Sequence, residues 1–219
     1  MRALGQKQQS VPPPAMSHRS LAARTVENGI VAAAARVFER RGVPNARVED
    51  ILDEAGIARK TFYRYFASKE DVLAAVYELA TDELLATLDT ASLGADPASG
   101  VRDVIDLYLQ FHVDNRALLR AVLVEAIRPG SALGGDRRRF RAELLGIMVR
   151  AAEARGVTPL DGFIYVALVS ALEGVALELL DSEAATSEVE RAKRALYALV
   201  ERGFQGSVGA SPRPPPVTR

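Results

Sequence analysis

From about residue 20 to about residue 204, apolar side chains return every three or four positions, and only glycines, prolines and short polar runs interrupt them. That period belongs to a helix with one buried face, whereas a half-buried strand alternates every second residue. Alanine and leucine supply much of the apolar 48% of the chain, and few segments are rich in β-branched or aromatic residues. The pattern therefore predicts an all-α fold of about nine helices. At 219 residues the chain is long enough to bury a sizeable core in one or two domains.

The breaks set the expected elements. A first helix is expected over about 20–41, with Ile30, Ala34, Val37 and Phe38 on one stripe. Gly42 and Pro44 end it, because proline has no amide to donate and cannot continue the helix. Two short helices follow, at about 47–55 and 59–66, with Gly56 between them. Ser68-Lys69-Glu70-Asp71 then reads as a capping box opening a fourth helix to about residue 89, with Asp71 in place of the usual Glu or Gln. Residues 90–100 have loop composition. Further helices are expected at about 98–113, 115–128, 136–155, 160–181 and 187–204, separated at Pro129-Gly130, Gly134-Gly135, Gly156 with Pro159, and Asp181-Ser182. Residues 1–18 and 205–219, each with three consecutive prolines, read as a disordered arm and tail.

Residues 48–66, VEDILDEAGIARKTFYRYF, carry the functional signal. Two short helices joined by a turn containing Gly56 form a helix-turn-helix arrangement. At 100° per residue, Phe62 and Phe66 fall on one face of the third helix, while Lys60 and Arg64 fall near the opposite one with Tyr63 on its flank. Such a helix buries two phenylalanines and aims cations outward. Cations neutralise phosphates and can read guanine in a major groove. Thr61, Tyr63 and Tyr65 can add hydroxyl bonds to phosphates, and Lys69 stands at the exposed amides that open the fourth helix. Charge is spread to match. Residues 1–70 carry twelve basic against seven acidic side chains, and the remainder is acidic by the same margin of five.

The stretch from Phe38 to Asp71, FERRGVPNARVEDILDEAGIARKTFYRYFASKED, resembles the DNA-binding domain of the tetracycline-repressor (TetR) family. The resemblance rests on Phe38, Asp50-Ile51, Ala55-Gly56-Ile57, Thr61, Tyr63, Phe66 and Ser68-Lys69-Glu70, in that order and spacing. It implies an N-terminal helix-turn-helix domain, residues 19–70, followed by a larger helical ligand-binding and dimerisation domain, residues 71–204. It implies backbone contacts from Thr61, Tyr63 and Lys69, and operator choice from Arg59, Lys60 and Arg64. Tyr65 stands where histidine is frequent, and Arg47 joins the expected DNA-contacting set. Ala46 replaces a threonine or serine ahead of the second helix, which leaves Asn45 as its capping candidate. Ala58 replaces a serine ahead of the third, and Leu52 replaces a small alanine.

In the second domain the period yields faces rather than chemistry. Tyr108 and His112 share an inward face with Ile105. With Tyr165 and Glu173 they are the candidate contacts of a small-molecule inducer. The run Arg137-Arg138-Arg139-Arg141 reads as a solvated face. The segment 163–180 is apolar nearly all round and the last helix has a clear stripe at Val189, Ala192, Leu196, Leu199 and Val200, so the last two helices are expected to form a homodimer bundle. Glu173 would then need a partner.

Several classes are set aside. There is no cysteine, there are only two histidines, His18 and His112, and none of the four lysines follows a glycine. Thiolate metal sites, di-iron bundles and P-loops lack their residues, and no cofactor is expected. Ser170, Glu173 and Glu178 interrupt the most apolar run, and no secretory signal is visible near residue 1, so a cytoplasmic rather than a membrane location is expected. The function expected is a sequence-specific transcriptional repressor, released from a palindromic operator by a small molecule. The alternative is a helical interaction protein whose helix-turn-helix does not bind DNA.

Overall fold

A computed structural model describes residues 18–92, 97–153, 161–182 and 185–207. Among them are nine helices and no strand: α1 His18–Arg41, α2 Val48–Ala55, α3 Arg59–Tyr65, α4 Lys69–Ser92, α5 Pro97–Asp114, α6 Arg116–Ile127, α7 Gly134–Glu153, α8 Gly162–Asp181 and α9 Thr186–Ser207. Most of the expected arm and tail, and the break at Gly156 with Pro159, lie outside the described residues.

The glycine between α2 and α3 does what the sequence requires of it. Gly56 adopts φ 64° and ψ 35°, the left-handed region that side chains with a Cβ enter only at a cost. The Ile57 amide then donates to Leu52 O at 3.1 Å, closing α2 and turning the chain into α3. Asn45, expected to cap α2, instead donates from Nδ2 to Arg41 O at 3.1 Å and so finishes α1. The Arg47 amide at the entry to α2 is satisfied by Asp50 Oδ2 at 2.9 Å. At α4, Ser68 Oγ accepts from the Asp71 amide at 3.1 Å, as the capping box demands. The returning bond from Asp71 reaches one residue further back than expected, to the Ala67 amide at 2.9 Å.

One expected break is absent. Gly134 and Gly135 form the first turn of α7 rather than a gap before it. Leu133, fully buried, pins the entry, and its amide donates to Ser131 Oγ at 3.1 Å. The actual turn is Gly130, whose φ is 76°.

One continuous core runs through the described helices. Ile30, Ala34, Val37 and Phe38 of α1 are buried in it with Ile51, Phe62, Phe66, Val72 and Val76 of α2–α4. Leu84 and Leu88 of α4, Ile105, Tyr108 and Leu109 of α5, and Leu144 of α7 continue it. Helix α4 packs on α1 at one side and on α5 and α7 at the other, and α6 also reaches α1. Surface ion pairs tie α2 to α1: Glu54 accepts from both Arg36, at 2.6 Å, and Arg40, while Arg41 lies 3.3 Å from Asp50. With arginines more than half exposed, these pairs position α2 more than they stabilise it.

Helix α8 is long and apolar enough to cross a membrane by length and composition alone. Seven of its residues, among them Leu168, Val169, Leu172 and Leu179, are nonetheless buried, and it packs against α5, α6, α7 and α9. That is the behaviour of a core helix. Its remaining face is open: Phe163 is 82% exposed and Val166 39%, beside exposed Ala167, Ser170 and Gly174. Leu199 of α9 is exposed as well, next to Ala195 and Ala198.

Phe62 tests the packing. Phe62→Ala should cost about 3–5 kcal/mol, since it removes a fully buried ring between α1 and α4. Lys60→Ala, at an exposed position, should stay within about 0.5 kcal/mol of the parent chain in the same urea titration.

Candidate nucleic-acid interface

Helix α3 is seven residues long, too short to persist alone. Its orientation is set by Phe62 and Phe66, 0% and 7% exposed, whose rings lie 5.9 Å apart. The period then turns Arg59, Lys60, Tyr63 and Arg64 to solvent, with Thr61 and Tyr65 half-buried on the flank. Tyr63 is 48% exposed and meets Phe62 edge-on. Arg64 lies 4.9 Å over the Tyr65 ring and donates to its hydroxyl at 3.2 Å, which holds the guanidinium in one direction. Ala58 offers no side-chain cap to α3.

The expected cations are not equally available. Arg47, Lys60 and Arg64 are exposed and make no ion pair among the described residues. Arg59 is paired across the turn with Glu49 of α2. Glu49's own backbone hydrogen bonding, together with Arg59, holds its carboxyl below the usual carboxylate range. Lys69 departs from expectation. Its ammonium donates to Val43 O at 2.9 Å and Ala46 O at 3.1 Å, satisfying carbonyls of the α1–α2 turn. The side chain expected on a phosphate thus latches the start of α4 to that turn.

A narrow cleft lies among α4–α8, with room for about 30 Å³ of solvent. Its walls are mostly apolar, with Leu84, Phe111, Leu119, Val122, Phe140 and Leu177 prominent. Three of the four residues expected to contact an inducer, Tyr108, His112 and Glu173, line it together. Tyr165 does not join them. It is buried with an unpartnered hydroxyl, eight residues before Glu173 on α8, a separation of about 12 Å along the axis. Tyr77, which the sequence did not single out, and Arg137, expected on a solvated face, line the cleft as well.

The partner that Glu173 needed comes from the arginine run. Arg137 donates to Glu173 Oε2 at 3.1 Å, Arg141 donates to the same oxygen, and Arg141 also reaches Ser170 Oγ at 2.9 Å. The run is therefore only half a solvated face. Arg137 and Arg141, one helical turn apart, turn inward, while Arg138 and Arg139 stay exposed and Arg139 meets Glu78 at 3.2 Å. The i, i+4 spacing of Arg137 and Arg141 was the available signal.

Residues 30–76 match the model of the bacterial regulatory proteins of the tetR family. Over that segment the chain is similar to the TetR family. Among curated proteins, the transcriptional regulator EthR of Mycolicibacterium smegmatis is 34% identical over 97 residues, covering 43% of this chain and 45% of that one. The transcriptional repressor SCO4008 of Streptomyces coelicolor is 30% identical over 103 residues, or 47% and 50%. The match thus spans about half the length of these curated relatives. Similarity of fold reaches further. A transcriptional regulator from Rhodococcus sp. Rha1 superposes with a TM-score of 0.70 at 22% identity, over 82% of this chain and 96% of that one. One from Pseudomonas aeruginosa PAO1 gives 0.69 at 20%, over 84% and 92%.

The segment that matches the family model ends at residue 76, and the cleft is lined by residues from Tyr77 onward. Within the cleft, His112 has a measurable signature. It is 3% exposed, stacks on the Tyr108 ring with centroids 4.3 Å apart, and its Nδ1 lies 2.7 Å from Tyr108 O. A carbonyl only accepts, so Nδ1 carries the proton and Nε2 keeps its lone pair. Burial lowers the imidazole from 6.5 to about 4. Because the folded value lies below the unfolded one, unfolding takes up a proton between them. The associated stability is complete above pH 6.5 and is lost as pH falls toward 4, about 3 kcal/mol in all. Urea titrations across that window should show His112→Gln lacking this part of the pH slope.

Proposed function

We propose that this chain is a TetR-family regulator, a dimeric, DNA-binding transcriptional regulator whose grip on a palindromic operator is released by a small molecule in the α4–α8 cleft. The observation that carries the reading is α3: two buried phenylalanines fix it, and Lys60, Tyr63 and Arg64 stand outward, where a major groove would receive them. Arg47 at the entry to α2 adds a phosphate contact. A protein of this kind works in the cytoplasm, where its operator lies.

The open face of α8 and α9 supports the dimer. An exposed phenylalanine among alanines, a serine and a glycine suits close approach of a second copy about a two-fold axis. Two α3 helices would then meet successive major grooves about 34–36 Å apart.

Coupling follows from shared helices. Tyr77, Thr81 and Leu84 of α4 line the cleft, while Lys69 at the start of the same helix holds the α1–α2 turn. Helix α6 lines the cleft through Leu119, Val122 and Leu123 and also packs on α1. A ligand that opens the cleft moves α4 and α6, and with them the spacing of the α3 helices. It drives release only by binding the displaced arrangement more tightly than the DNA-competent one.

Selection from a random duplex pool at defined salt should enrich an inverted repeat; enrichment of no sequence would overturn the proposal in favour of a DNA-silent interaction protein. On the selected duplex, Arg64→Ala should weaken binding by about 1–3 kcal/mol and relax one position of each half-site. Phe163→Glu should convert the dimer to monomer in sedimentation velocity and abolish inverted-repeat binding, because it buries a charge at the two-fold contact. A dimer unchanged by that substitution would move the interface elsewhere.

A further inference from the structure

The cleft carries more information than its apolar walls. Tyr77 and Tyr108 both line it, both are 2% exposed, and neither hydroxyl has a hydrogen-bond partner among the described residues. Unlike the Tyr165 hydroxyl, neither is fully enclosed, so each is free to donate to an occupant of the cleft. Both hydroxyls lie within electrostatic range of Arg137, that of Tyr108 also of Arg141, and that of Tyr77 also of Asp136 and Arg139. Arg137 and Arg141 share a single carboxylate oxygen, Glu173 Oε2. At this end of the cleft two guanidiniums thus meet on one carboxylate oxygen. Their crowding is visible in Arg141, whose guanidinium is pushed below its ordinary value by burial and then by Arg137. His112, uncharged at neutral pH, adds no charge.

We propose that the cleft takes an amphiphilic organic monoanion, an apolar body ended by one carboxylate, whose head group is held by Arg137 and the hydroxyls of Tyr77 and Tyr108. The assignment rests on the reading above that this cleft is the effector site. A carboxylate accepts from a guanidinium and from two phenols at once. An ammonium would meet two guanidiniums at this end of the cleft. A neutral alcohol could bond the phenols but would gain no charge-assisted bond from Arg137. The leucines and phenylalanines of the remaining walls would surround an alkyl chain once the cleft opens to admit it.

Isothermal titration calorimetry on the full chain, without DNA, tests this with dodecanoate, dodecylammonium and 1-dodecanol below their aggregation limits. Dodecanoate should bind at least about tenfold more tightly than either control. Arg137→Gln should remove that preference, Arg137→Lys should keep most of it, and Tyr108→Phe should weaken dodecanoate several-fold. Glu173→Gln should strengthen dodecanoate binding, because it removes the carboxylate that competes for both guanidiniums. A merely structural Glu173 would give the opposite sign, and this variant keeps the test decisive if Arg137→Gln fails to fold. Equal or tighter binding of the ammonium or the alcohol overturns the assignment, as does binding of none of the three. Dodecanoate that binds as expected yet leaves the operator duplex bound would refute the effector reading while leaving the ligand class intact.

Discussion

A seven-residue helix has almost no stability of its own, so what α3 presents to solvent is borrowed entirely from the elements beneath it. Phe62 and Phe66 enter a core built from Ile30, Val37 and Phe38 of α1, Ile51 of α2, and Val72 and Val76 of α4. Burying two phenylalanines contributes about 3–6 kcal/mol before ordering costs, enough to fix the rotation of α3 about its axis. Once that rotation is fixed, the period of the helix decides the rest. Arg59, Lys60, Tyr63 and Arg64 are outward because Phe62 and Phe66 are inward. The Arg64 contact with Tyr65 then narrows the direction of one guanidinium further.

The same dependence joins α3 to the cleft. Core side chains pack at crystal-like density, so α4 cannot shift against α5 and α7 without carrying its first turn along. That first turn is where Lys69 binds the carbonyls of Val43 and Ala46. Its two bonds transmit movement of α4 into the turn that positions α2. These bonds use two of the ammonium's three N–H donors. Using Lys69 as a brace, with Arg47, Lys60 and Arg64 outward, separates the cations that hold the scaffold from those that face a ligand.

How much of this was legible in the sequence depended on whether a feature is local. The faces of α1 and α3, the left-handed turn at Gly56 and the capping serine at Ser68 are local matters of spacing and backbone sterics, and each is found where the sequence put it. Gly134-Gly135 misled because glycine marks a break only on average. Here buried Leu133 and the Ser131 hydroxyl supplied the local support that carries a helix through it. Asn45 misled because it could serve either neighbouring helix end, and the Arg41 carbonyl won. Lys69, Tyr77 and Arg137 have partners 23 or more residues away or share a cleft with other helices, and no periodicity names a distant partner. Glu173 was a partial success. Its position within an apolar helix announced that it needed a cation, and only the packing of α7 on α8 showed that two arginines would answer.

The basic character of the first 70 residues needs the same correction for partners. Arg36 and Arg40 are engaged by Glu54, Arg41 by Asp50 and Arg59 by Glu49, so much of the positive charge counted in that segment is already neutralised within it. These pairs are exposed and individually weak, yet each keeps a guanidinium near a carboxylate rather than extended toward solvent. A polyanion arriving at α3 therefore meets a small set of unpaired cations placed around one helix rather than a diffuse basic surface. Diffuse charge yields binding that tolerates any sequence, because phosphates are alike everywhere. A few cations held at fixed positions by buried aromatic rings favour register over bulk attraction, which is the condition under which base edges can be told apart.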